Sequence, residues 1–136
     1  MRNEPYWITP EIVIDLNQEV LEGTTEPHCL LSYELLDSAC QRPYNYYEYE
    51  GIEDIIFLAT ILLFGIAANH PFEQGNKRAA FAAMIIFLED NGYRLALQDD
   101  PRCADDLIAV LEDGISRDAF EESLRRVVAP LDERIW

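Results

Sequence analysis

The chain has 136 residues and a formal net charge of −16, from 26 acidic and 10 basic side chains. A chain of this length can bury a core without disulfides or metals, so we expect one domain over residues 1–136. The charge argues against nucleic acid as a direct partner, because phosphate backbones bind basic surfaces, but a nucleotide needs only one local positive site.

Two helices are predicted in the N-terminal part of the chain. Thr9 and Pro10 are typical of an N-cap and a first helical residue, and apolar residues recur at helical spacing up to about Glu22. The second predicted helix spans about residues 31–41 and ends before Pro43, because proline does not readily continue a helix.

Four tyrosines lie within residues 44–51, where the helical pattern breaks. From the residues alone, this segment is either a short extended stretch or an exposed loop.

Two apolar segments follow, and both are predicted to be helices. They span about residues 52–68 and 77–91. A helix that is apolar almost all round is buried, so we expect these two helices to be central. Asn91 and Gly92 are suited to end the second of them.

The C-terminal part is predicted to contain a brief extended stretch at residues 94–98 and two further helices. The first begins at Asp100 and Pro101 and ends near Gly114, and Ser116 caps the second. That last helix has apolar residues at helical spacing, namely Phe120, Leu124, Val127 and Val128. The six helices, without a sizeable sheet, predict an all-α fold, and residues 131–136 are expected to be a loosely held tail.

The cysteines and the hydropathy predict a cytoplasmic protein with no membrane partner. Cys29, Cys40 and Cys103 show no metal-ligand spacing, and an odd number without a signal peptide is typical of a reducing compartment. Residues 1–7 lack an apolar signal region, and the apolar run of residues 55–68 is too short to span a bilayer.

A dense polar stretch, residues 70–78 with the sequence HPFEQGNKR, lies between the two central helices. It has the features of a loop that runs into a helix start. Pro71 disfavours helical geometry at the residue before it, Gly75 permits a tight turn, and Asn76 is a good N-cap for a helix beginning at about Lys77.

This stretch, which we call the motif loop, concentrates groups suited to phosphate chemistry. The free N–H groups of the helix start attract anions, and Lys77, the only lysine, adds charge together with Arg78. His70 could accept a proton near neutral pH. The other histidine, His28, is expected to be a surface or packing residue, with catalysis as the less favoured alternative.

The motif loop resembles the signature of the Fic/Doc family, His-Pro-Phe-x-Asp/Glu-Gly-Asn-Gly/Lys-Arg. The segment from Leu35 to Pro43 is similar to the LLeSAlaRP segment of Doc-type, or death-on-curing, proteins, and the resemblance covers about residues 7–128. It implies a compact bundle of about six helices, with the motif loop between two central buried helices and a short flap beside it.

The resemblance also implies a role for each residue of the site. His70 would be the general base, and Phe72 would anchor the loop in the core. The phosphates of ATP would be held by Gly75, Asn76, Lys77 and Arg78. The flap, which docks the target protein by backbone pairing, is expected at Tyr46, Tyr47, Glu48 and Tyr49.

Two departures from the AMP-transferring members of the family are Doc-like. Lys77 stands where those enzymes have glycine, and Phe81 stands where they have a second arginine. The resemblance therefore implies a toxin that transfers the γ-phosphoryl group of ATP to a hydroxyl of a target protein, with translation elongation factor Tu as the implied target. AMP transfer to a protein hydroxyl is the alternative.

Gln74 is a third departure, at the position where the family has the Asp or Glu that holds Mg²⁺. A neutral amide is a poorer ligand for Mg²⁺ than a carboxylate. Either the phosphates carry the metal largely alone, or turnover is weak. The second case leaves another alternative, a nucleotide-binding or protein-interaction module with little catalysis.

The family's self-inhibitory motif, Ser/Thr-x-x-x-Glu-Gly/Asn, is not found in the sequence. The nearest pattern runs from Gln18 to Gly23 and has glutamine where Ser or Thr is required. The resemblance therefore implies an antitoxin in trans, which would fold a disordered segment across the site.

Overall fold

The structure is a computed structural model that describes residues 4–96 and 116–131, together with Ala109 and Gly114. Five helices and two short strands lie in these residues. They are α1 (Pro10–Leu21), α2 (Tyr33–Glu50), α3 (Ile55–Asn69), α4 (Asn76–Asp90), β1 (Tyr93–Leu95), α5 (Arg117–Arg125) and β2 (Val128–Pro130). The prediction of an all-α fold is confirmed, with a single two-stranded antiparallel pair in the described part of the chain.

Helix α3 is the centre of the core. It packs most extensively against α4 and α2, and α5 also lies against it, while α1 packs on α4. Nine of the fifteen residues of α3 are buried. Close approach to α2 occurs at Gly65, where an added Cβ would lie 3.4 Å from the Cβ of Ala39. The two apolar segments of the sequence are therefore the central helices, as predicted.

Side-chain caps begin four of the helices. Each cap oxygen accepts a hydrogen bond from a backbone N–H of the first turn, which has no partner within the helix. These caps are Thr9 for α1, Ser32 for α2, Asp54 for α3 and Ser116 for α5. The start of α1 and the cap of the last helix agree with the sequence prediction.

The predicted end of α2 at residue 41 is wrong, because the helix continues through Pro43 to Glu50. Aromatic packing explains the difference: the ring of Trp7 lies 5.6 Å from that of Tyr44 and 5.5 Å from that of Tyr47, which is buried. Burial of these rings offsets the cost of about 3 kcal/mol that an interior proline imposes on a helix. The helix ends at Gly51, whose φ of 68° is left-handed.

The C-terminal elements also differ in part from the prediction. Helix α5 ends at Arg125, so Val127 and Val128 are not on it, and Val128 instead begins β2, which pairs with β1. The predicted helix of residues 100–114 lies outside the described residues except for Ala109 and Gly114, and the tail lies outside them after Leu131. Among the described helices, none is both long enough and apolar enough to cross a membrane.

Candidate active site

The motif loop begins at the end of α3 with a strained histidine. His70 is the C-cap of α3, with φ 47° and ψ 55°, and it is the only non-glycine residue with positive φ in the described part of the chain. A non-glycine residue in this region costs about 1–2 kcal/mol, so the surrounding contacts must hold it. Asn69, the residue before His70, makes one such contact. Its Nδ2 donates a 2.9 Å hydrogen bond to the Leu35 carbonyl of α2.

The next residues of the loop pair with the segment that precedes α2. Leu31 N–H donates to Pro71 O at 2.8 Å, and Glu73 N–H donates to Cys29 O at 2.9 Å. Leu30 and Phe72 thus form an isolated antiparallel bridge. The ring of Phe72 is 1% exposed, so it occupies the core at the place where the loop meets this segment.

Asn76 holds the loop through its side chain. Its Oδ1 accepts from the Phe72 N–H at 2.9 Å, and its Nδ2 donates to the Phe72 carbonyl at 2.8 Å. The N-cap of α4 is Gly75, not Asn76 as predicted, and the helix begins at Asn76 itself. The side-chain oxygen and one of the two Nδ2 N–H donors are therefore engaged within the loop. The backbone N–H of Asn76 and the second Nδ2 N–H are left as donors, so the prediction that Asn76 binds phosphate stays a prediction.

Gly75 makes the tight turn into α4, where any other residue would be strained and crowded. Its φ is 77°, and an added Cβ would lie 3.0 Å from both Asn17 Nδ2 and Leu21 Cδ2 of α1. Both the backbone geometry and the neighbouring side chains therefore favour glycine at this position.

Asn17 of α1 is a site residue that the sequence prediction missed. Its side chain is fully buried. Its Nδ2 donates a 2.8 Å hydrogen bond to the Gln74 carbonyl, and its Oδ1 lies 2.7 Å from Nδ1 of His28. One sequence feature could have found it: Val13, Asn17 and Leu21 share the buried face of α1, so a polar residue stands at a core position.

A pocket of about 250 Å³ opens over the motif loop. It is lined by Glu26, His70, Glu73, Gln74, Gly75, Asn76, Lys77 and Arg78. The structure therefore brings His70 together with the start of α4 and the two basic residues that follow it. Free N–H groups at a helix start and two cations form an anion site, and the imidazole beside it can exchange a proton.

The predicted flap does not lie at this site. Tyr46, Tyr47, Glu48 and Tyr49 are on the last turns of α2, where Tyr47 is buried and Tyr46 packs its ring 5.3 Å from that of Phe57. Phe57 is at the N-terminal end of α3, about 20 Å of helix away from His70 at about 1.5 Å per residue. The segment that lies beside the motif loop is instead residues 29–32.

No cluster of three or more His, Cys, Asp or Glu side chains suited to a metal occurs in the residues that the structure describes. The pocket offers separate oxygen donors, the amide of Gln74 and the carboxylates of Glu26 and Glu73. Cys40 is a structural thiol, because burial, with smaller contributions from nearby carboxylates, raises its pKa to about 12 and keeps it protonated.

Comparison with known proteins agrees with the motif. A family model described as Fic/DOC family matches residues 7–88, which is more than half of the chain. The chain is 40% identical over 77 residues to Toxin Doc of Mycolicibacterium smegmatis, a match that covers 56% of this chain and 59% of the relative. It is 32% identical over 79 residues to Protein kinase doc of Escherichia phage P1, covering 58% of this chain and 61% of the relative. The chain thus spans about three fifths of the length of the curated relatives it matches.

We predict that Gly75→Ala destabilises the fold more than Gly23→Ala does. Both glycines have similar positive φ, 77° and 82°, but nothing lies within 4 Å of a Cβ added at Gly23. The Gly23 variant should therefore cost about 1 kcal/mol of unfolding free energy from the backbone alone, and the Gly75 variant about 1–3 kcal/mol more from the clash with α1. Urea denaturation of both variants measures the difference, and equal losses would show that α1 does not restrict the loop.

Proposed function

Because this chain belongs to the Fic/DOC family, we propose that it is a Doc-like toxin that transfers the γ-phosphoryl group of ATP to a hydroxyl group of a target protein. The observation that carries the proposal is the pocket over the motif loop, in which His70 lies beside the N-terminus of α4 and the cations Lys77 and Arg78. Phosphoryl transfer depends on positioning and charge stabilisation, and this pocket supplies both.

In the proposed reaction, His70 removes the proton from the attacking hydroxyl. The hydroxyl oxygen forms a bond to the γ-phosphorus, the bond from that phosphorus to the β–γ bridging oxygen breaks, and ADP leaves with the electron pair. The backbone N–H groups at the start of α4, with Lys77 and Arg78, hold the phosphates and stabilise their charge. Asn76 supports the reaction indirectly, by fixing the loop through Phe72.

Mg²⁺ is the ion that normally accompanies ATP, and when bound it would neutralise part of the phosphate charge. The donors in the pocket fit a Mg²⁺ that is held mainly by the phosphates, because such an ion needs only one or two protein oxygens. Gln74 and Glu26 are the residues that would supply them.

Two residues favour phosphoryl transfer over AMP transfer. Lys77 adds a flexible positive charge to the pocket. Phe81, at the position where AMP-transferring relatives have a second arginine, is buried in the core and 5% exposed. The side chain at this position therefore adds no charge to the pocket, which weakens the case for the nucleotide orientation that AMP transfer requires.

The target chain would dock on the segment beside the motif loop. In the bridge with Phe72, Cys29 and Leu31 make the backbone hydrogen bonds, so the N–H and C=O of Leu30 point to the opposite side. An extended target peptide could pair with that edge, next to Leu31, whose side chain is 62% exposed. We propose translation elongation factor Tu as the target and an antitoxin in trans as the regulator, on the strength of the Doc resemblance.

Intact-mass spectrometry of the target separates the candidate functions. The purified protein is incubated with elongation factor Tu and ATP, and the target is weighed before and after. A gain of one phosphoryl group supports the proposal, whereas a gain of one AMP group identifies an AMP transferase. If ATP binds but no mass is added to any target in a cell extract, the protein is a nucleotide-binding module, as the neutral amide of Gln74 would allow.

We predict that His70→Ala lowers the rate of transfer at least about 100-fold and leaves ATP affinity within a few-fold of wild type. Loss of a general base typically has this effect on rate, and His70 is an exposed loop residue that contributes little to the core. The control is Tyr49→Ala, which removes a side chain that is 79% exposed on α2 and should not change the rate. A His70→Ala variant that turns over normally would remove His70 from the mechanism.

Lys77 provides a second prediction. Lys77→Ala should reduce phosphoryl transfer about 10-fold or more, because one charge-assisted contact to a phosphate is lost. Lys77→Arg should restore only part of the rate, since the guanidinium is a planar fork and not a point charge. Arg126→Ala is the matched control, because it changes the net charge equally at an exposed ion pair with Glu122. Equal rates for Lys77→Ala and the control would contradict the proposed nucleotide orientation.

A third prediction concerns Gln74. A carboxylate at this position is a better Mg²⁺ ligand, so Gln74→Glu should lower the Mg²⁺ concentration at half-maximal rate. Gln74 is exposed, which means that the change adds no core strain. Titration of the rate with Mg²⁺ measures the shift. If the midpoint does not move while ATP affinity falls, the side chain does not meet the metal and acts only by repelling phosphates.

A further inference from the structure

Asn17 makes a polar contact between α1 and the motif loop across 57 positions of sequence. It is one of two fully buried polar residues in the described part of the chain, and the other, Thr60, bonds only within its own helix. A buried amide is costly unless it is hydrogen-bonded, and Asn17 uses both of its polar atoms, one on Gln74 and one on His28. This arrangement ties the loop to a fixed point in the core.

The contact determines which way the peptide unit between Gln74 and Gly75 faces. Asn17 Nδ2 donates to the Gln74 carbonyl, so that carbonyl is directed at α1. No peptide bond in the described chain is cis, and in a trans peptide the N–H points opposite to the C=O. The Gly75 N–H is therefore turned away from α1. It is the first in the row of free N–H groups at the start of α4, where anions bind.

His28 holds the other end of the Asn17 amide. The Gln74 carbonyl can only accept, which places the amide nitrogen of Asn17 on that side and its oxygen toward His28. An amide oxygen can only accept as well, so Nδ1 of His28 carries the proton and donates to it. A flipped Asn17 amide would place its oxygen against the Gln74 carbonyl and lose the hydrogen bond to the loop. The Gln74 carbonyl thus sets the orientation of the amide, and the hydrogen bond from His28 satisfies the buried Asn17 oxygen and holds the side chain in place.

We infer that Asn17 and His28 are positioning residues that orient the Gln74–Gly75 peptide so that the Gly75 N–H binds a phosphate of the nucleotide. The inference deepens the proposed function and rests on it, because it concerns the same pocket. Neither residue belongs to the motif loop, and neither lines the pocket over it. Their effect on the nucleotide is exerted through the backbone of the loop.

The first test compares Asn17→Leu with Thr60→Val. Each removes a fully buried polar group, and both variants should lower the melting temperature. ATP affinity, measured by calorimetry well below the melting transition, should fall about 10-fold or more for Asn17→Leu alone, since a hydrogen bond to a charged group is lost. Affinity for inorganic tripolyphosphate should fall by the same factor, because the lost contact is to phosphate. An Asn17→Leu variant with wild-type ATP affinity would overturn the inference.

The second test uses His28, which is exposed, so its variants should fold. His28→Leu removes the donor to Asn17 and should weaken ATP binding a few-fold. The amide of asparagine can place an N–H near the position of Nδ1, so His28→Asn should restore the affinity. A role in packing against Phe72 alone would favour leucine over asparagine, so it would not give His28→Asn the higher ATP affinity. Equal affinities for both would contradict the role of His28.

A measurement without nucleotide separates this inference from the proposed function. The backbone amide resonance of Gly75 in a ¹H–¹⁵N spectrum should shift in Asn17→Leu and stay in place in Thr60→Val. If the wild type does not bind ATP but the Gly75 resonance shifts as expected, the loop contact stands and the proposed function fails. If the wild type binds ATP and Asn17→Leu changes neither the resonance nor the affinity, the positioning role fails alone.

Discussion

The burial of α3 and α4 is the constraint on which the site depends. The motif loop joins the end of one buried helix to the start of the other, so both of its ends are fixed by the core. This explains how His70 can be held in a left-handed conformation that costs about 1–2 kcal/mol for a non-glycine residue. A loop between exposed helices could relax that strain by shifting its ends. Here the same burial that stabilises the fold keeps the imidazole at the mouth of the pocket.

The loop between those ends is held from three directions. The segment before α2 pairs with it at Phe72, the Asn76 side chain bonds the outward N–H and C=O of Phe72, and α1 contacts it through Asn17. Because these contacts satisfy most of the loop's inner polar groups, the N–H groups at the start of α4 are left for a ligand. Preorganised donors of this kind stabilise developing charge without reorganising during the reaction.

Local patterns predicted the starts of α1 and of the last helix and singled out residues 70–78, most of which line the pocket, whereas contacts distant in sequence were out of reach. Thr9 and Ser116 are caps whose effect lies within one turn, so sequence alone was sufficient. The end of α2 was misjudged because Pro43 is a local stop, while the aromatic contacts of Trp7 that override it join residues far apart. Asn76 was recognised as important, but its bonds to Phe72 depend on the turn at Gly75 and could not be read from residue types.

The distribution of charge favours an anion in the pocket over the motif loop. The formal net charge is −16, and Arg125 and Arg126 form ion pairs with carboxylates of their own helix. In the described residues, no ion pair involves Lys77 or Arg78, so their charge is available to an anion in the pocket. Elsewhere the acidic surface repels phosphates, which disfavours nucleic acid and nonspecific nucleotide binding. Lys77 and Arg78 therefore give the pocket over the motif loop a local positive charge on an acidic protein, and His70 lies in the same pocket.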